Sequence, residues 1–110
     1  MASVVAMIVN QRPEDALDLL SANFHVSRPK LGVGVTEGRT KGVAAVYSAR
    51  RKEILAANSE YLYNPFVIIH EFYHHLRYVG RRHRGTERQA DLFAMEFIEA
   101  YRRTATRLIR

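Results

Sequence analysis

The chain has 110 residues, 47% of them hydrophobic, which predicts a single domain over residues 1–110 with no room for a second. Cysteine is absent, and this excludes disulfide frameworks and thiolate metal sites. The net charge of +6 is compatible with nucleic-acid binding. The basic residues are dispersed, however, except in residues 77–88, where a solvated loop explains them equally well, so nucleic acid is not the expected partner.

The first hydrophobic segment covers residues 4–9. It has the length of a buried strand, although periodicity alone does not distinguish it from a short core helix. The apolar run from Ser3 to Val9 is too short to cross a bilayer, and no basic region precedes it as in a signal peptide. We therefore expect no membrane anchor and a cytoplasmic location.

The next segments predict one helix followed by three strands. Pro13 suits the first position of a helix that carries apolar residues at helical spacing to Phe24. Alternating residues predict strands at 31–35, 43–48 and 53–57, with a turn at 37–42 and a hairpin turn at 49–52. Together with two later helices, this order predicts an α+β domain with a small, mostly antiparallel sheet of three to four strands. The sheet would pack on an N-terminal helix and on a two-helix layer that carries the site.

The segment 64–80 predicts a long amphipathic helix. Asn64 is a good N-cap residue, Pro65 suits the first helical position, and Gly80 is a plausible stop. Apolar residues form one broad arc of this helix, and the motif HEFYH at residues 70–74 occupies the adjacent side.

This H-E-x-x-H motif predicts a zinc site. Residues four apart lie one above the other on a helix, so His70 and His74 can share one metal ion. Glu71 lies beside that ion, where its carboxylate can accept the proton of an activated water. A pair of solvated or core histidines is the alternative interpretation. A lone His25 at a helix end and His75, which lies away from the line of His70 and His74, are not expected to bind metal.

A second helix is predicted after Thr86, which with Gln89 forms a capping box. An apolar stripe from Ala90 to Tyr101 follows at helical spacing. Glu87 and Asp91 lie four residues apart beside this stripe. A third metal ligand from a second helix would complete the site, but an acidic residue in the first turn also suits the helix dipole without any metal.

The two helices together resemble those of the minigluzincins, very small microbial zinc metallopeptidases of the gluzincin clan. The resemblance rests on HEFYHH at residues 70–75 and ERQADLFA at residues 87–94. The segment AVYSARRKEIL at residues 45–55 resembles the hairpin that precedes the active-site helix in that family, so the match covers roughly residues 42–98.

The resemblance implies Zn²⁺ ligands, a fold and an activity. It implies that His70, His74 and Glu87 bind zinc, that Asp91 orients His70 by a hydrogen bond, and that Glu71 is the general base of a peptidase with the mini-zincin fold. One conflict stays open. If the first helix reaches Gly80, the six-residue link to Thr86 places Glu87 nearer Val79 than His74. Either the helix then ends near residue 76 or 77, or Asp91 is the third ligand.

Three further points stay open from the sequence. Tyr78, His83 and Tyr101 are candidate donors to a reaction intermediate, with no means of choosing among them. A closed, structural zinc site in a nucleic-acid-binding or interaction module is the rival function, and it requires Asp91 or His83 as a ligand. Minigluzincins are latent, which implies self-inhibition by residues 101–110 within a monomer or a homodimer, but the same residues also continue the helical stripe.

Overall fold

The computed structural model of the chain describes residues 1–34, 43–80 and 86–109, with side chains as far as Thr106. The described residues form four α-helices, three strands and one 3-10 helix, which confirms the α+β class. The elements are α1 Ala2–Val9, α2 Pro13–Phe24, β1 Lys30–Val33, β2 Ala45–Ser48, β3 Glu53–Ala56, the 3-10 helix Ser59–Tyr63, α3 Pro65–Gly80 and α4 Glu87–Ile109. The predicted turn at 37–42 and the loop residues 81–85 lie outside the described residues.

The first hydrophobic segment is a helix. In α1, Val4, Val5 and Ile8 are buried, and their spacing of one and four residues places them on one helical face. This face packs against α2 and α4. Of the two alternatives that the sequence left open, the short core helix is therefore correct.

The prediction of a mostly antiparallel sheet is wrong, because the sheet is mixed. The strand order is β1-β3-β2. The short turn after β2 makes β2 and β3 an antiparallel hairpin, in which Ala45 lies opposite Ala56. β1 pairs with the other side of β3 and runs parallel to it, with Lys30 opposite Glu53. The long connection from β1 to β2 allows this order, since it does not force the two strands to be neighbours.

The hairpin turn is tied to β1 by backbone hydrogen bonds. Lys52 lies in the left-handed region, with φ of 50°, and its N–H donates to the Ala49 carbonyl at 3.3 Å. The Lys52 carbonyl accepts a hydrogen bond from the Lys30 N–H at 2.9 Å. These bonds fix the turn, and the strand order leaves β2 at an edge of the sheet, facing α3.

The two long helices begin at the predicted residues. Asn64 Oδ1 accepts a hydrogen bond from Val67 N–H at 3.2 Å before α3, and Thr86 Oγ1 accepts one from Gln89 N–H at 3.0 Å before α4. Both helices pack into one apolar core, whose members include Leu17, Leu20, Ile54, Ile68, Ile69, Phe72, Leu76, Ala94 and Phe97. In the described part of the chain, no helix has both the length and the hydropathy needed to cross a membrane.

Candidate metal centre

Three side chains from α3 and α4 converge at the surface of the domain. The Glu87 carboxylate lies between the two histidines, with Oε2 3.0 Å from His70 Nε2 and Oε1 2.8 Å from His74 Nε2. One ligand atom from each residue can be chosen so that all lie within 4.8 Å of one another. His70, His74 and Glu87 therefore form a group that can hold a metal ion.

Asp91 fixes the orientation of His70 from the side opposite to Glu87. Its Oδ1 atom lies 2.8 Å from His70 Nδ1. Because a carboxylate only accepts hydrogen bonds, Nδ1 donates to Asp91, and in the neutral imidazole this leaves the lone pair on Nε2, the nitrogen that faces Glu87. This is the arrangement in which an outer carboxylate prepares a histidine for a metal.

The donor set fits a cation. His70 Nε2, His74 Nε2 and the Glu87 oxygens are all electron-pair donors, and atoms of this kind converge favourably only around a proton or a metal ion. Two imidazole nitrogens and one carboxylate are a common ligand set for zinc, which binds nitrogen and oxygen at about 2.0–2.2 Å.

Glu71 lies beside this group but is not part of it. Its side chain is 10% exposed, and Oε2 lies 3.8 Å from His70 Nε2. Burial, with a smaller contribution from the charge of Glu87, raises the pKa of Glu71 to about 8. A carboxyl group with a raised pKa in a cleft is typical of a general acid or base.

Burial favours the neutral form of His74. Desolvation lowers the pKa of His74, although the neighbouring Glu87 carboxylate acts in the opposite direction. The neutral imidazole is the form that binds a metal. The environment of His74 therefore supports a ligand role.

The expected conflict over Glu87 does not arise. Helix α3 does extend to Gly80, yet the Glu87 carboxylate contacts both His70 and His74. The sequence estimate placed backbone positions only, whereas the contact is made by the end of a long side chain. Neither an early end of α3 nor a direct ligand role for Asp91 is needed to bring a carboxylate to the histidines.

A groove of about 950 Å³ opens onto the centre between α3 and β2. Glu71, His74 and Glu87 are among the residues that line it. The remaining lining residues come from the hairpin and from the last turns of α3: Val43, Ala45, Val46, Tyr47, Ala49, Lys52, Arg77, Tyr78 and Val79. The sequence did not single out Lys52 or Arg77, because neither belongs to a recognisable motif.

The three candidate donors to a reaction intermediate are distinguished by where they lie in the structure. Tyr78 lines the groove and is 51% exposed. Tyr101 packs against the hydrophobic core, fourteen residues beyond Glu87 on α4 and so about 21 Å along the helix axis. His83 lies outside the described residues. Tyr78 is therefore the one of the two described candidates that shares the groove with the metal group.

Sequence reasoning did not anticipate the role of His75. Its side chain is fully buried, Nε2 lies 2.7 Å from the Ser27 carbonyl, and Nδ1 lies 2.7 Å from the Tyr47 hydroxyl. A carbonyl only accepts, so Nε2 donates and Nδ1 accepts from Tyr47. The position of His75 three residues after the buried Phe72 was the signal that could have predicted this burial.

The final residues continue α4 as far as Ile109. A helix of this length places Ile109 about 33 Å along the axis from Glu87. Of the two interpretations of this segment, the continuous helix is the one found in the described residues, and its end lies away from the metal group.

Comparison with protein-family models, curated proteins and solved structures gives no significant match for this chain.

Proposed function

We propose that the protein is a zinc-dependent peptidase. The observation that carries this proposal is the convergence of His70, His74 and Glu87 beside the buried Glu71 carboxylate, at an open groove. Two histidines and a carboxylate leave a fourth position of a tetrahedral ion free, as in catalytic rather than structural zinc sites. The groove gives a substrate access to that position.

The residues divide the chemistry between them. When bound, zinc polarises the scissile carbonyl and lowers the pKa of water. A bound cation would favour the ionised form of the neighbouring Glu71, which would then accept the proton of the attacking water and return it to the leaving amine. Asp91 holds His70 in the tautomer that leaves Nε2 free. Tyr78 is the proposed donor to the negative oxygen that develops on the substrate.

The substrate is proposed to be an extended segment of a peptide or protein. β2 is an edge strand and contributes residues to the groove, so its free backbone groups can pair with a substrate strand. Such pairing would hold the chain across the groove in one direction. The resemblance to minigluzincins supports the same activity and a mini-zincin fold.

The rival function, an interaction or nucleic-acid-binding module with a structural zinc, is less well supported. A structural site closes all four positions with protein ligands. Asp91 makes its contact with His70 Nδ1, the nitrogen that faces away from Glu87, and not with the open position. Within the described residues, three side chains make up the metal group.

The test is the variant Glu71→Gln. The amide keeps the shape of the side chain but cannot accept a proton, so hydrolysis of an unstructured protein substrate should fall by about 10²- to 10⁴-fold. Zinc content, measured by mass spectrometry, and the unfolding temperature should stay close to those of the wild type. A zinc-loaded variant that cleaves as fast as the wild type would exclude Glu71 as the base. A zinc-loaded, folded wild type without any hydrolytic activity would exclude the peptidase proposal, once latency has been tested.

Latency is proposed from the same resemblance. Self-inhibition by residues 101–110 requires this segment to leave α4, or to reach the groove of a second copy, because residues 101–109 continue the helix away from Glu87. Removal of residues 102–110 keeps Tyr101, which packs on the core. If the segment inhibits, the truncated, zinc-loaded protein should be more active than the full chain. Equal activity of the two folded proteins would rule out inhibition by this segment.

A further inference from the structure

Two cationic side chains line the groove beside the metal group. Arg77 lies on α3, three residues after His74, and Lys52 lies in the turn of the β2–β3 hairpin. They belong to different elements and to the same groove. Among the described residues, the other charged side chains that line it are those of Glu71 and Glu87, which belong to the centre and its immediate surroundings.

These two cations have no carboxylate partner among the described residues. In the same part of the chain, Arg12, Arg28, Arg51 and Arg102 each lie within 4.0 Å of a carboxylate oxygen. No such contact is made by Lys52 or Arg77 within residues 1–34, 43–80 and 86–106. The charges in the groove are therefore available to a ligand.

The charge balance of the groove favours an anion once a metal is bound. A divalent ion offsets the negative charge of Glu87 together with any charge on Glu71, so the positive charges of Lys52 and Arg77 remain. In a concave groove, such charges attract an oppositely charged ligand more strongly than on an open surface.

The usual role of a basic residue at a helix end explains only part of this arrangement. Arg77 lies in the last turn of α3, where a positive charge suits the helix dipole. Lys52 has no such role. Its backbone is held by hydrogen bonds to Ala49 and Lys30, which fixes the base of the side chain at the wall of the groove.

We propose that Lys52 and Arg77 together bind a carboxylate of the substrate, next to the bond that is cleaved. This inference rests on the proposed peptidase function and names its substrate class: peptides with a carboxylate close to the scissile bond. The carboxylate has two possible sources, an internal Asp or Glu side chain or the free C-terminus of the substrate. The chemistry of the contact is the same for both, namely a charge-assisted hydrogen bond to a guanidinium and an ammonium group.

The experiment measures binding and cleavage separately. Octapeptides that differ only in one residue, Glu or Gln, are prepared with an amidated C-terminus, and a neutral octapeptide is prepared with a free or an amidated C-terminus. Binding is measured by calorimetry on zinc-loaded Glu71→Gln protein, and kcat/KM on the wild type. One of the acidic peptides, either a peptide with Glu at a particular position or the peptide with a free C-terminus, should bind more tightly than its neutral counterpart. Both its affinity and its kcat/KM should be about 3- to 10-fold higher.

Variants test whether the preference for a carboxylate depends on the two cationic residues of the groove. Lys52→Gln and Arg77→Gln should each remove most of it, and Lys52→Glu should shift the preference toward a peptide with Lys at the same position. Arg50→Gln is the matched control for the turn and Arg103→Gln the control for an exposed helical arginine. Both control residues are exposed and neither lines the groove, so they should leave the preference unchanged.

Each outcome decides a different question. Cleavage without any preference for a carboxylate overturns this inference and leaves the peptidase proposal intact. Preferential binding of the acidic peptide without cleavage supports the anion site and counts against the peptidase. An equal loss in the Arg50 or Arg103 controls would mean general attraction by a basic protein, and would also overturn the inference.

Discussion

His74 and His75 are neighbours on α3, yet they lie in two different regions of the molecule. The side chain of His74 is 21% exposed at the groove and lies 2.8 Å from the Glu87 carboxylate. His75 is fully buried between β2 and the segment after α2, with the Tyr47 hydroxyl on one ring nitrogen and the Ser27 carbonyl on the other. One step along the helix separates a candidate ligand from a structural residue.

His74 and His75 differ in whether a ring nitrogen has a lone pair available to a metal, and not in their protonation state. Desolvation lowers the pKa of both residues, so both environments favour a neutral imidazole. In His75 one nitrogen donates a hydrogen bond and the other accepts one, so neither is available to a metal. In His74 the Nε2 atom faces a carboxylate and a second imidazole, which is where a cation would bind.

The largest expected effect is on zinc affinity, and it comes from His74, the member of the pair that faces the groove, and from its partner Glu87. His74→Ala and Glu87→Ala should each lower zinc affinity by more than about 100-fold, since each removes a ligand and not merely an outer partner. Affinity is measured by competition with a chromophoric chelator. Asp91→Ala is the matched comparison and should cost about 10- to 100-fold, because it removes only the partner of His70. Full affinity in Glu87→Ala together with loss in Asp91→Ala would instead make Asp91 the third ligand.

The buried member of the pair should affect stability and leave the metal in place. His75→Leu keeps much of the volume but leaves the Ser27 carbonyl and the Tyr47 hydroxyl without their partner. The free energy of unfolding should fall by about 2 kcal/mol, as measured by urea denaturation of the zinc-loaded protein. Zinc affinity of the folded variant should match that of the wild type. A loss of zinc affinity as large as in His74→Ala would show that the two regions are not independent.

Much of the metal group and of the two helices that carry it could be predicted from the sequence, because the sequence signals are local. His70, Glu71 and His74 are fixed by their spacing on one helix, and Asn64 and Thr86 cap the two helices as predicted. Each of these depends on residues within one or two turns of the same helix.

What the sequence did not predict depends on contacts between distant segments. β1 pairs with β3, twenty-three residues further along the chain, so the choice between a mixed and an antiparallel sheet leaves no local pattern. The partners of His75 come from Ser27 and Tyr47, far from α3 in sequence. The continuous apolar run in α1 has no period, and its helical form is decided by packing against α2 and α4.

The smallest expected effect is on stability, and it comes from substitution of Tyr47, the hydrogen-bond partner of His75. Tyr47→Phe removes only the hydroxyl that donates to His75 and should lower the free energy of unfolding by about 1 kcal/mol. The effect also depends on pH. Burial, helped by repulsion from Tyr78, raises the pKa of Tyr47 from 10.0 to about 12. The folded protein therefore keeps a proton that the unfolded chain loses, and stability falls as the pH rises from about 10 to 12.

In Tyr47→Phe this loss is absent, so the stability difference between wild type and variant should shrink over that pH range. The fraction of tyrosinate formed in the folded wild type, followed by absorbance, should contain a late component that the variant lacks. A stability difference that stays constant from pH 10 to 12 would contradict the raised pKa of Tyr47.

The two sides of the groove come from different parts of the chain. His70, Glu71, His74, Glu87 and Asp91 all come from two consecutive helices, whereas the facing wall is the β2–β3 hairpin, which comes earlier in the chain. In the proposed peptidase, mutations in the hairpin could therefore alter which substrates are accepted while the metal group is inherited unchanged. This separation suits divergence after gene duplication, and it suits directed evolution, in which libraries at the groove-lining hairpin residues Val46, Ala49 and Lys52 would search for new specificity and leave the buried residues of the hairpin unchanged.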